Sequence, residues 1–171
     1  LVHHRNTPVQ KDLLLETLWP HLDIDKAYAQ LYTAVYQLRK NLQQLNSDLH
    51  IENKYSNYLI NTELVTIDVE KWEKSLSSLP PLSVESVNQH MAIFNSYIGD
   101  YFEEHDYLWA EAERERLRTL WYQHALRLSD LLIESHSSDI ALNVLIRLKT
   151  QFPFSEQIYF DRELALSQWI L

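Results

Sequence analysis

One glycine, Gly99, stands in 171 residues. Glycine takes positive φ without steric penalty, so tight hairpins, phosphate-cradling loops and strand-to-helix elbows depend on it. A chain with a single glycine and five prolines is poor material for a turn-rich all-β fold. It also has no phosphate-binding glycine loop and no nucleophile elbow. Leu, Ala, Glu and Arg recur at helical spacing, so the expected fold class is mainly α. An apolar content of 46% is ample for the packed cores of one or two domains. With no cysteine there is no disulfide, no thiol catalysis and no Cys-ligated zinc. No apolar run approaches the roughly 18 residues of a membrane span, and no apolar signal segment follows the first basic residue. A cytoplasmic protein without membrane contact is expected. The only methionine is Met91, so the chain is expected to be a fragment. Its opening, LVHHRNTPVQ, then reads as the end of a helix broken by Pro8.

Residues 11–42 carry the most information. Over 12–19, Leu14, Leu15 and Leu18 share one side of a short helix, which Pro20 stops by removing a backbone donor. A longer helix comes next, over about 25–45. Its apolar residues fall at Tyr28, Leu31, Val35, Leu38, Leu42 and Leu45, in steps of three and four, which is the stripe of a helix packed on a core. Lys26, Gln30, Thr33, Gln37, Lys40 and Gln44 lie opposite, flanked by Tyr36 and Arg39, and this face has no acid. Gln can pair with adenine, Thr can meet a thymine methyl, and Lys or Arg can reach guanine or phosphate. Periodicity alone favours a solvated amphipathic helix, and it is the context, a short helix, a turn, this long helix and then a strand pair, that shifts the balance. Residues 50–61, HIENKYSNYLIN, place strand formers Ile51, Tyr55, Tyr58 and Ile60 around a turn expected at Ser56-Asn57. A short helix, a turn, a long helix and a hairpin make the order of a winged helix-turn-helix with its wing.

On LLETLWP, LYTAVYQLRKNL and the wing segment, residues 1–66 resemble the C-terminal three-quarters of the winged-helix domain of response-regulator transcription factors. Residues 67–171 resemble the bacterial transcriptional activator domain, a tetratricopeptide-like (TPR-like) helical domain fused to that winged helix in the antibiotic-regulatory activator family. The matching segments are VTIDVEKWEKSL, YIGDYFEEHDYLWAEAERERLRTLWYQHALRLSDLLIE and ALNVLIRLKTQFPFSEQIY. The wing departs from the family pattern, with Tyr55 and Asn57 where glycines are usual, and the long helix has Tyr36 and Gln37 where arginine is frequent.

The resemblance implies a partial winged helix whose N-terminal sheet is missing, and after it a TPR-like bundle. It further implies a DNA-binding transcription activator, with any receiver domain lying upstream. Gln30, Thr33, Tyr36, Gln37 and Lys40, with Lys26 on the same face, are expected to meet bases or nearby phosphates of double-stranded DNA. Arg39 and Lys54 are expected to touch the backbone. The helical domain is expected to serve oligomerisation or contact with RNA polymerase. No catalytic residue, cofactor or metal is expected. The alternative is a protein-interaction or ligand-sensing module with no DNA binding of its own.

The net charge of −9 argues against a general nucleic-acid binder. Residues 1–64, however, hold six Lys/Arg against seven Asp/Glu, so the acidity belongs to the remainder. There five helices are expected, over 68–77, 83–98, 107–135, 138–151 and 154–170, with Gly99 closing the second at positive φ. The third carries Leu117, Leu120, Trp121, Leu128, Leu131 and Leu132 on one face. Its EAERERLR run pairs Glu111 with Arg114, Glu113 with Arg116 and Glu115 with Arg118 at i,i+3, the pattern of a solvated face. His3 and His4 are adjacent rather than at ligand spacing, and His124 sits in an apolar stripe as a core histidine. The last helix has one stripe at Phe154, Ile158, Ala165 and Trp169, and a second at Phe160, Leu164 and Leu171. That second face is expected to meet a further helix or, in a homodimer, another copy of the chain.

Overall fold

In the computed structural model, residues 1–153 and 156–169 are described, except for the side chains at 164, 168 and 169. The chain is mainly helical with one small antiparallel sheet. It divides into two compact units, Leu1–Lys71 and Trp72–Leu171, and the division falls within the helix Asp68–Ser77.

The first unit runs from a 3-10 turn, Val2–His4, through strand β1 (Val9–Gln10), helices α1 (Lys11–Leu18) and α2 (Ile24–Gln44), and strands β2 (His50–Lys54) and β3 (Asn57–Asn61). The sheet order is β1-β3-β2, with Val9 opposite Tyr58 and Ile51 opposite Ile60. The opening segment was expected to be a helix end with no strand; it supplies β1 instead. Pro8 cannot continue a helix and favours extended backbone at the residue before it, so the chain leaves Pro8 as a strand, with Val9 buried against the core. Pro20 acts the same way at the end of α1, where Trp19 has left the helical region.

The wing turn lies one residue earlier than expected, at Tyr55 and Ser56, because Lys54 pairs with Asn57. A turn at Ser56-Asn57 would set Ile60 opposite Asn53; the observed register pairs it with Ile51 on the core side. Two bonds from one residue hold the turn there: the Lys11 backbone N–H donates to Ser56 O and its Nζ to Tyr55 O, both at 2.9 Å. Tyr55 takes φ 55°, a strained value for a bulky residue.

The core of this unit gathers Leu15, Ala27, Leu31, Val35, Ile51, Tyr58 and Ile60. The buried stripe of α2 therefore runs through Ala27, Leu31 and Val35. Leu38 and Leu45 are exposed, contrary to expectation, while Arg39 and Leu42 of the same turns are the residues that meet β2 and the core.

The second unit contains most of α3 (Asp68–Ser77), then α4 (Val87–Ser96), a 3-10 turn at Leu108–Ala110, α5 (Glu111–Glu134), α6 (Ser138–Gln151) and α7 (Glu156–Trp169). Helix α5 packs on α4, α6 and α7, and α6 packs on α7. Trp121 is buried at their centre, stacked on Phe94 at 5.2 Å and on Tyr97 at 5.0 Å, with its Nε1 donating to Phe94 O at 3.2 Å. Leu128, Val144, Leu145, Leu148 and Ile158 are fully buried around it.

Two expectations fail in this unit. Gly99 does not close α4 at positive φ; the helix ends at Ser96, and Tyr97 turns extended. A Cβ at Gly99 would stand 2.5 Å from Glu103 Oε2, which accepts from the Asp100 N–H, so a larger residue would displace the end of that flexible side chain. The EAERERLR face is also not simply solvated. Its three Glu–Arg pairs form, but Arg114 reaches on to the carbonyls of Tyr101, Phe102 and His105, Arg116 to Glu73, and Arg118 to Asp100. The pairs orient arginines whose main work is to hold the loop before α5 and the helix α3.

Candidate nucleic-acid interface

Helix α2 displays the expected face. Lys26, Gln30, Thr33, Tyr36, Gln37 and Lys40 are all exposed. The spacing of Lys26, Gln30, Thr33, Gln37 and Lys40 alternates four and three, so they form one row about 21 Å long at 1.5 Å per residue. Each is positioned by the buried residues behind it, Ala27, Leu31 and Val35, which fix the rotation of the helix on the sheet.

Local contacts grade the row. Lys26 Nζ lies 3.3 Å from Asp23 Oδ2 in an open i,i+3 pair, weak enough to exchange for another anion. Thr33 Oγ1 donates to Ala29 O at 2.8 Å, leaving its oxygen to accept and its proton occupied. Lys40 forms no ion pair among the described residues. Tyr36 is exposed beside Gln37, and Tyr32 adds a second exposed ring on the helix.

Arg39 is separated from the others. It is half-buried, and its Nε and Nη2 both donate to Ile51 O, at 3.0 and 2.7 Å. This ties α2 to β2, so the expected free contact to a DNA backbone is replaced by a structural clamp on one edge of the guanidinium. Lys54, at the end of β2, stays exposed with its Nζ 3.3 Å from Glu52 Oε2.

Lys11 and Tyr55 belong to the same region and were not among the expected site residues. The Lys11 ammonium is buried, 5.0 Å from the centre of the Tyr58 ring and 5.7 Å from that of Tyr32. Its charge therefore serves the wing turn and two aromatic faces. Nothing in the spacing of the sequence marks Lys11 for this, because its partners lie 21 or more positions away. Tyr55 is 97% exposed at the tip of the ribbon. On the other side of α2, the Tyr28 hydroxyl donates to Asp12 Oδ1 at 2.5 Å, and this bond to a carboxylate raises the Tyr28 pKa.

No protein-family model matches the chain, and no curated protein matches it.

The second expected surface lies on α7. Phe160 is 68% exposed while Ile158 and Ala165, on the other stripe, are fully buried. The side chain of Leu164, the whole of Leu171, and Phe154 lie outside the described residues. No helix among the described residues is long and apolar enough to cross a membrane.

Proposed function

We propose that this chain is a DNA-binding transcription regulator, an activator, whose α2 enters the major groove with the β2–β3 ribbon beside it. The observation that carries the reading is the acid-free row from Lys26 to Lys40 standing exposed on a helix that leads directly into a hairpin. The order β1-α1-α2-β2-β3, with β1 paired to β3, supports a winged helix-turn-helix. In this reading Gln30, Gln37 and Thr33 face base edges, while Lys26, Lys40 and Lys54 meet phosphates. The antiparallel helices α5, α6 and α7 form a TPR-like bundle that serves oligomerisation, through Phe160, or contact with RNA polymerase.

Fluorescence anisotropy against random duplex DNA at several salt concentrations tests it. Affinity should fall steeply with salt as counterions are released. Lys40→Ala should weaken binding to all sequences and lower the salt slope by about one. Gln37→Ala should leave that slope alone and relax base preference at single positions of a selected operator. Binding that is absent, or unaffected by either substitution, removes α2 from the interface. Absence would leave the second reading, a protein-interaction module, which the net charge of −9 favours.

A further inference from the structure

A hollow of about 180 Å3 opens between the C-terminal end of α2 and the start of β2. Leu42, Leu49 and Ile51 contribute apolar lining, and Arg39, Ser47 and His50 contribute polar groups; no lining residue is acidic. Its size is that of a cavity able to hold about six heavy atoms, a benzene-sized molecule.

The guanidinium decides what those atoms should be. Arg39 has five N–H donors in a planar fork. One from Nε and one from Nη2 meet at Ile51 O. The remaining Nη1 and Nη2 hydrogens form the opposite edge, whose parallel geometry suits both oxygens of one carboxylate. No Asp or Glu among the described residues makes an ion pair with Arg39, so a half-buried cation is left without a counter-charge. Ser47 Oγ accepts from the Leu49 N–H at 3.2 Å and keeps its own proton to donate. The His50 ring adds a further N–H.

We propose that this hollow binds a small aliphatic carboxylic acid, its carboxylate on the free edge of Arg39 and its alkyl chain over Leu42 and Leu49. The apolar lining separates this ligand from inorganic phosphate or a nucleic-acid phosphate, which share the oxyanion chemistry but have nothing to place there. The ligand would complete the clamp of Arg39 between α2 and β2. The site does not depend on DNA binding.

Amide chemical-shift titrations at constant ionic strength, with sodium butyrate, butyramide and sodium phosphate as separate probes, test the assignment. Butyrate should give saturable shifts at Leu42, Leu49 and His50, half-complete at about 1 mM, the scale for six atoms held at ordinary efficiency. Butyramide, with the same shape and no charge, should bind at least roughly tenfold more weakly. Arg39→Lys, which keeps the charge and loses the fork, should also weaken butyrate roughly tenfold. Leu42→Phe, which fills the hollow and leaves Arg39 in place, should abolish the shifts while the rest of the spectrum stays dispersed. Equal binding of butyrate and butyramide, equal binding of phosphate, or no saturation with butyrate would each overturn the proposal. Because no DNA is present, none of these results bears on whether α2 reads a duplex.

Discussion

The cations of the two units are held in opposite ways. In the helical unit Arg114, Arg116, Arg118 and Arg147 are each tied to carboxylates or backbone carbonyls of other segments. Arg147 also lies over the rings of Phe94 and Trp121, at 4.9 and 5.3 Å. In the first unit Lys26 and Lys54 have only open pairs with neighbouring acids, and Lys40 has none among the described residues. Arg5, Lys11 and Arg39, which are tied to Glu70, to the wing turn and to Ile51 O, are the three that are not exposed. Net charge therefore misjudges the molecule, because the acidic unit ties four of its arginines into its own packing while the near-neutral unit leaves a basic row on display.

The sharpest ways to break this contrast are substitutions in the helical core. Trp121→Ala should cost about 3–5 kcal/mol, the loss from removing a fully buried indole stacked on two rings, read by urea unfolding with far-UV circular dichroism as the probe. Next comes a matched pair of cations. Arg118→Ala leaves Asp100, whose side chain is only 6% exposed, with the Tyr97 hydroxyl and no cation, and should cost about 2 kcal/mol. Lys40→Ala should change stability by less than about 0.5 kcal/mol while weakening the proposed duplex contact. Equal losses of stability at Arg118 and Lys40 would show that the basic row is also structural.

Those same residues mark how far the sequence could be read. The stop at Pro20, the course of α2, the hairpin, the three Glu–Arg pairs and the core stripe of α5 all come from local rules, because each depends on residues within about four positions or on strict alternation. Strand β1 was missed because two residues have no period, and Val9 becomes strand only through pairing with Tyr58, 49 positions away. The wing turn was misplaced because Lys11, a distant residue, holds it. Leu38 and Leu45 obey the helical period yet are exposed, since period says which side of a helix is apolar and not which residues of that side the opposing layer covers; here it covers Leu42. Within the candidate site, exposure of Lys26, Gln30, Thr33, Tyr36, Gln37, Lys40 and Lys54 agreed with the pattern. Arg39 did not, because its acceptor, Ile51 O, belongs to another element.

The helical unit carries a stacked pair of histidines that should make it sensitive to acid. His124 of α5 and His90 of α4 stack with ring centres 5.2 Å apart; His90 Nε2 meets Pro80 O and His124 Nε2 meets His90 O. Both carbonyls accept, so each ring carries its proton on Nε2, and the buried Nδ1 of His90 has no partner. Burial lowers the His124 pKa, with the neighbouring His90 and Arg127 acting in the same direction and the bond to His90 O opposing them. A folded pKa below the unfolded one means that stability is full above the unfolded value of about 6.5 and is lost as pH falls through the folded value. Asp161 and Asp130, whose pKa values burial raises, act with the opposite sign, as they gain a proton more readily when folded. Their window opens at about 3.8 and extends upward. Thermal unfolding between pH 7 and 5 should therefore show a fall in midpoint that His124→Phe reduces. An unchanged fall would place the acid sensitivity elsewhere.

Gains rather than losses of stability are expected at two helix ends of the same design. After α2, Asn46 takes φ 48°, its N–H donates to Gln43 O at 3.1 Å, and Ser47 N–H donates to Leu42 O at 3.0 Å. After α5, His136 takes φ 57°, its N–H donates to Ile133 O at 3.1 Å, and Ser137 N–H donates to Leu132 O at 2.8 Å. Both are Schellman closures, in which glycine is the usual left-handed residue. Asn tolerates that region because its short amide bonds locally, whereas His bears more of the clash of Cβ with the next carbonyl, about 1–2 kcal/mol for an ordinary residue. Glycine removes the clash but gives back about 0.5–1 kcal/mol by loosening the unfolded chain. His136→Gly should thus stabilise by roughly 0.5–1 kcal/mol, and Asn46→Gly by no more than a few tenths. Equal gains at the two positions would mean that Asn is as strained as His there, and that the chain's shortage of glycine weighs equally on both units. A gain at His136 alone places that strain in the acidic unit.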